Sequence, residues 1–272
     1  MKNSNEVKVL ILRTAGTNCD YEAVLAFKLA GAVPEQVHIN EFISGRKKMS
    51  KYDVLIIPGG FSYGDDVASG KILANELKYK LWPQVKQFAN DGKPVVGICN
   101  GFQVLVKLGL LPGEIKFGQP PEQTATLTDN ASGKFECRWV ELKKSINTRC
   151  KFLKYVPDII DLPIAHGEGR FVAIEDKVLQ DLVENGQIVF QYSHTGRPTE
   201  IYPYNPNGSI MSIAGITDYN GNILGMMPHP ERYLFKINHP YRPATGTEED
   251  EFGQGFTLFT SIVEYVRDRV KQ

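Results

Sequence analysis

Over the first third of the chain, short continuous apolar runs alternate with segments whose apolar residues recur at helical spacing. Residues 7–12 and 54–57 predict buried strands, 37–39 a shorter one, and the "PVVGI" of 94–98 another. Between them, 21–29 predicts a helix closed by Gly31, and 71–90 a single long helix. Strands alternating with helices imply a mostly parallel sheet with helices on both faces. Ligands of such sheets gather beyond the carboxyl ends of the strands. Three turn-rich segments fall there: "RTAGTNCD" (13–20), "PGGFSYGDD" (58–66) and the corner at Cys99.

From about Pro112 the pattern changes. Residues 122–146 read as antiparallel strands, as do parts of 164–174 and 187–192, with a short helix at 178–184. The stretches 210–216 and 223–226 flank "TDYNGN", whose Asn220-Gly221 is a strong hairpin-turn signal. Residues 236–254 read as a polar surface loop and 256–270 as a closing amphipathic helix. With no internal repeat, low-complexity tract or linker, the expectation is one domain over 1–272. It is an α/β fold with a mostly parallel central sheet and a small β-rich elaboration.

Composition narrows the function classes. The chain has 272 residues, 31 basic and 31 acidic, and no long basic run beyond "GRKK" at 45–48, which argues against a nucleic-acid partner. Its apolar runs are too short to cross a bilayer, and the N-terminus lacks an apolar signal region, so a cytoplasmic soluble protein is expected. Cys19, Cys99, Cys137 and Cys150 include no C-x-x-C pair. Reduced thiols are expected, and neither a zinc site nor a disulfide framework.

Cys99 is the candidate for chemistry. It sits between the apolar run ending at Ile98 and the amphipathic stretch "GFQVLVKL", on a tight strand-to-helix turn. There the positive helix end favours a thiolate, in the geometry of a nucleophile elbow. From these residues alone, a buried core cysteine is an equal reading. A thiol nucleophile needs a base with an orienting partner. Among five histidines, His38 and His239 read as solvated, while His166 and His194 lie in loop-like segments and are possible ligand contacts. His229 follows a buried-type strand between two prolines. Glu231, two residues on, falls on the same side of an extended segment and would orient the imidazole.

Five blocks in this order, "IPGGFSYGDD", "GICNGFQ", "PIAHGEGRF", "YPYNPNGS" and "IAGITDYNGNILGMMPHPER", resemble the class I (triad) glutamine amidotransferases of flavodoxin-like fold. Within that family they are most similar to the glutaminase subunits or domains of phosphoribosylformylglycinamidine (FGAM) synthase, which serve purine synthesis. The resemblance implies Cys99 as nucleophile, His229 as general base and acid, and Glu231 as the orienting carboxylate. It further implies an oxyanion hole from Gly60 or Phe61 with the Asn100 N–H, and contact between Gln103 and bound glutamine. It implies no metal or cofactor on this chain. The partners it implies are a large synthetase subunit using ATP and Mg²⁺ and a small accessory subunit. The long loop 236–254 departs from the compact pattern of bacterial subunits. An elbow-cysteine hydrolase or thiol stress protein is a rival reading, as is a non-catalytic binding homologue. The segments "PIAHGEGRF" and "QYSHTGRP" are expected to serve partner docking rather than bond breaking.

Overall fold

The computed structural model describes residues 6–113, 121–241 and 251–271. Its first half comprises β1 (Lys8–Arg13), α1 (Asp20–Leu29), β2 (Val33–His38), α2 (Ile39–Ile43), β3 (Val54–Ile57), α3 (Lys71–Lys80), α4 (Trp82–Asn90), β4 (Val95–Ile98) and α5 (Asn100–Lys107). The second half adds β5 (Ala125–Asp129), β6 (Glu136–Lys144), β7 (Ile159–His166), β8 (Glu168–Ala173), α6 (Asp176–Glu184) and β9 (Ile188–His194). It closes with β10 (Arg197–Pro198), β11 (Ile213–Thr217), β12 (Ile223–Met226) and α7 (Phe256–Val270).

Among the described residues, one sheet runs in the order β2-β1-β3-β4-β12-β11-β9-β6-β7, with β10 attached to β9. The strands from β2 to β12 are mutually parallel, and those from β11 onward are antiparallel to their neighbours. Much of the expected β-rich elaboration therefore continues the central sheet. Every residue of β3 and β4 is buried, as strands covered on both faces require. The chain crosses from β1 toward β2 and from β3 toward β4 in opposite directions, so right-handed crossovers place α1 and α3 on opposite faces. On one of these, Phe259 of α7 packs edge-on against Phe27 of α1, centroids 5.1 Å apart.

Several expectations are redrawn. The helix expected over 71–90 is two helices, because Leu81 leaves helical geometry (φ −126°) and Pro83 is seated at the start of α4. β2 begins four residues earlier than the apolar pattern suggests. It is an edge strand, half polar and carrying Pro34, so only Val37 is buried. β5 and β6 do not pair with each other; β5 forms a separate two-stranded ladder with β8, while β6 lies between β9 and β7. Between β11 and β12 the Asp218 carboxylate accepts from the N–H groups of Asn220 (3.0 Å), Asn222 (2.7 Å) and Ile223 (2.7 Å), and Gly221 takes φ 72°. The expected hairpin is thus present. The base of loop 236–254 is closed where Lys236 N–H donates to the Glu251 carbonyl (2.8 Å) and Phe252 stacks between Phe235 and Phe256. Residues 242–250 of that loop lie outside the described residues.

The glycines around Cys99 fix how closely α5 seats on the sheet. A Cβ on Gly101 would lie 1.8 Å from the Ile57 carbonyl oxygen, and one on Gly97 would lie 2.5 Å from the Gly101 carbonyl oxygen. Backbone cannot yield to either contact, so the G-x-C-x-G spacing is a packing requirement. Gly101→Ala is accordingly expected to cost at least about 3 kcal/mol or to prevent soluble accumulation. Gly167→Ala, whose Cβ would meet only the Phe135 ring at 3.9 Å, should shift the denaturation midpoint little. Equal midpoints for the two variants would refute the packing account.

Candidate active site

Cys99 stands between two backbone regimes. Its N–H donates to the Met226 carbonyl (2.8 Å), extending the β4–β12 ladder, while its own carbonyl accepts from Gln103 N–H (3.1 Å) as the first turn of α5. The junction forces φ 52°, ψ −106°, a strained conformation for a residue with a side chain, of order 1–3 kcal/mol. The buried sulfur lies 3.8 Å from the Ala165 carbonyl oxygen at the end of β7.

The neighbouring strand leads to His229. Beyond β12 the His229 N–H donates to the Pro163 carbonyl (2.8 Å), and residues 230–232 turn in a single 3₁₀ turn. That turn, rather than the extended segment expected, brings the Glu231 Oε1 to 2.6 Å from His229 Nδ1. An ionised carboxylate only accepts, so Nδ1 carries a proton, and in the neutral imidazole Nε2 presents its lone pair. Nε2 is buried and without a hydrogen-bond partner among the described residues. Burial pulls the imidazole down, but the Glu231 carboxylate and Cys99 outweigh it, and its pKa rises well above the ordinary histidine value. The three groups converge on the end of β3: a Cβ on Gly59 would lie 2.8 Å from His229 Cε1, 3.2 Å from Cys19 Sγ and 3.5 Å from Cys99 Cβ.

The loop after Gly59 is held at both ends. Thr17 and Gly60 face each other in an antiparallel bridge flanked by Asn18 N–H to the Gly59 carbonyl (3.4 Å) and Phe61 N–H to the Gly16 carbonyl (2.9 Å). In such a pair the N–H of Gly60 points away from the opposing segment. The Phe61 N–H is occupied, so of the two expected oxyanion donors Gly60 is the available one. Its φ of 135° lies in the region open to glycine. Tyr63 and Asp65 are also left-handed (φ 56° and 54°). Asn100 ties them down: its Nδ2 donates to Asp65 Oδ1 (3.0 Å) and its Oδ1 accepts from Ser62 N–H (3.3 Å). At the far end Lys107 Nζ donates to the Ser69 carbonyl (2.6 Å), and the Ser69 hydroxyl donates to Glu168 Oε1 (2.8 Å). Burial lowers the Lys107 pKa, with Glu168 and Asp65 acting against it. Gln103 is buried; it donates to the Glu168 carbonyl (2.6 Å) and accepts from Asn100 (3.0 Å). These bonds use one of its two amide N–H groups and one of its two oxygen lone pairs.

"PIAHGEGRF" differs from expectation. His166 ends β7 at 3 % exposure, its Nδ1 3.1 Å from Asn130 Oδ1 and its ring lying against Gly169. Burial, with His229 adding to it, pushes its pKa down to about 3, so it is a neutral imidazole close to that of His229. It is not an exposed docking residue, because its alternate position on β7 points inward. His194, in "QYSHTGRP", is exposed and stacks on Tyr204 at 3.7 Å. His38 is exposed and caps α2. His239 is less solvated than expected, packing against Trp139 (4.5 Å) and Tyr233 (5.5 Å). Sequence reasoning missed the Lys107–Ser69–Glu168 clasp and the Asn130 hub. The only trace of the first is a lysine on a helix otherwise fit for burial.

The family of CobB/CobQ-like glutamine amidotransferase domains matches residues 6–266. A protein of Dehalococcoides mccartyi named phosphoribosylformylglycinamidine synthase subunit PurQ is 44% identical over 97% of this chain and 99% of its own length. The same-named protein of Archaeoglobus fulgidus is 40% identical over 96% of this chain and 97% of its own. Among solved structures, a chain of PurLQS from Thermotoga maritima matches at a TM-score of 0.70 with 32% identity, covering 95% of this chain and 98% of that one. On this match over nearly its whole length, with the elbow cysteine and its histidine brought together at the strand ends, the chain belongs to the CobB/CobQ-like glutamine amidotransferase family.

Proposed function

We infer that this chain is the glutaminase subunit of FGAM synthase. It hydrolyses glutamine to glutamate and ammonia through a cysteinyl thioester and delivers the ammonia to the synthetase subunit that converts FGAR to FGAM. The observation that carries the chemistry is the Nδ1–Oε1 contact at 2.6 Å, which leaves His229 Nε2 buried and unpartnered on a site shared with the elbow thiol. The names of the relatives support the pathway assignment.

In this reading His229 Nε2 takes the Cys99 thiol proton, and the sulfur attacks the side-chain amide carbon of glutamine. The oxyanion that forms is met by the N–H groups of Gly60 and Asn100, donors each worth roughly 3–4 kcal/mol. Collapse breaks the C–N bond while the imidazolium returns its proton to the departing nitrogen, giving ammonia and the thioester. Water, losing a proton to Nε2, then displaces the sulfur, which regains that proton as glutamate leaves. Gln103 would orient the substrate through its second amide N–H or second oxygen lone pair. Every step is proton transfer or acyl transfer on this chain's own groups, so no metal or cofactor is assigned to it. ATP and Mg²⁺ belong to the synthetase, and a small accessory subunit completes the assembly. The continuous sheet supports a single domain over 1–272, and a cytoplasmic location accords with purine synthesis. No described helix is long and apolar enough to cross a membrane.

Cys99→Ala is expected to abolish glutamate formation while the assembled complex still makes FGAM from free ammonia. Continued glutamine turnover would overturn the nucleophile assignment. In Glu231→Gln the new amide can donate to Nδ1 and so favour the wrong imidazole tautomer. Glutamate formation should fall by on the order of 10⁴-fold, with the fold intact and less completely than in Cys99→Ala. Activity near that of the unaltered chain would show that Glu231 does not orient the base.

A further inference from the structure

Cys19 is a buried thiol that the reaction does not use. It opens α1 next to the base: its sulfur is 4.0 Å from His229 Nδ1, 3.2 Å from Asn18 Oδ1 and 3.2 Å from an Arg232 Nη2. One donor atom from each of Cys19, His229 and Glu231 lies within 4.8 Å of the others, a spacing that metal ions exploit. A protein cation already faces this sulfur, however, since the Arg232 guanidinium donates to it.

A second observation defines the problem this contact solves. Glu231 Oε2 is buried and has no hydrogen-bond partner among the described residues, although Arg232 is the next residue in the chain. A guanidinium pairs with a carboxylate in preference to a thiol. Were Arg232 to take Glu231, the carboxylate would have less charge and less freedom to give the imidazole. In the structure the guanidinium is turned instead to Cys19, and among the described residues the carboxylate holds only His229.

We propose that Cys19 is a positioning residue for the catalytic base, which it serves by engaging Arg232 and keeping it off Glu231. This rests on the assignment of Cys99 and His229 above. The groups that act on His229 are Glu231 on its own turn, Cys99 at the elbow and Cys19 at the start of α1, and His166 at the end of β7 is coupled to it; Cys19, Glu231 and Glu22 of α1 act on Arg232. With Arg232 on Glu231, the carboxylate stabilises the imidazolium less, so the base ionises at lower pH.

The test is glutamate formation by the assembled synthetase complex, followed as kcat/KM against pH. For Cys19→Ala the acid limb should move to lower pH by about one unit. The plateau should drop about 10- to 100-fold as the imidazole loses its fixed orientation. Cys19→Ser, which keeps an acceptor for the guanidinium, should stay close to the parent profile. Cys19→Ala combined with Arg232→Leu removes the competitor and should restore the position of the limb. A cavity effect alone would lower thermal stability without moving the limb, and that result overturns the proposal. So does a displaced limb that Arg232→Leu fails to restore. Cys99→Ala in the same assay separates the two levels: persisting glutamate formation there refutes the underlying catalytic assignment, and this proposal with it.

Discussion

The backbone hydrogen bond from Cys99 N–H to the Met226 carbonyl (2.8 Å) is the constraint on which the site depends. It is the last rung of the parallel ladder between β4 and β12, and it keeps two distant parts of the chain in register where both leave the sheet. Past that rung one strand leads through Cys99, the proposed nucleophile, into α5, and the other becomes the Pro-His-Pro-Glu turn that carries the proposed base. Neither side chain could be placed by its own loop to the tolerance that proton transfer needs. A covered sheet, with β3 and β4 buried throughout, supplies the rigidity.

The backbone around this rung is strained, and the strain has identifiable restraints. Cys99, Tyr63 and Asp65 all occupy the left-handed region, each at a cost of order 1–3 kcal/mol. Asn100 holds Ser62 and Asp65, on either side of Tyr63, from the first residue of α5, and Lys107 with Glu168 holds Ser69 near the helix's other end. The loop after Gly60 is therefore fastened to the same helix that begins at the Cys99 corner. Buried polar groups serve here as fasteners, each satisfied by a named partner.

The chemistry was more legible in the sequence than the pairing of strands. The run ending at Ile98, the G-x-C-x-G spacing and the prolines around His229 are local signals, because a strand-to-helix corner and a rigid turn are local structures. β3, α7 and the Asn220-Gly221 hairpin were legible for the same reason. β2 was blurred because an edge strand need bury only one residue in several. The α3–α4 break rests on Leu81 and Pro83 within an otherwise unbroken helical pattern. The pairing of β5 with β8, and the burial of His166 beside His229, depend on contacts between segments distant in sequence, which periodicity does not encode. The Phe61 N–H is occupied by the Gly16 carbonyl, a contact between segments distant in sequence that no local pattern encodes.

The central claim is that Cys99, and no other thiol, becomes covalently attached to the glutamyl group. It is tested most directly by mixing the assembled complex with L-glutamine, quenching in acid during turnover and mapping the modified peptides by mass spectrometry. The account predicts a glutamyl thioester on the peptide containing Cys99, with Cys19, Cys137 and Cys150 unmodified. An adduct on Cys19, or turnover with no adduct on Cys99 under conditions that preserve thioesters, would contradict it.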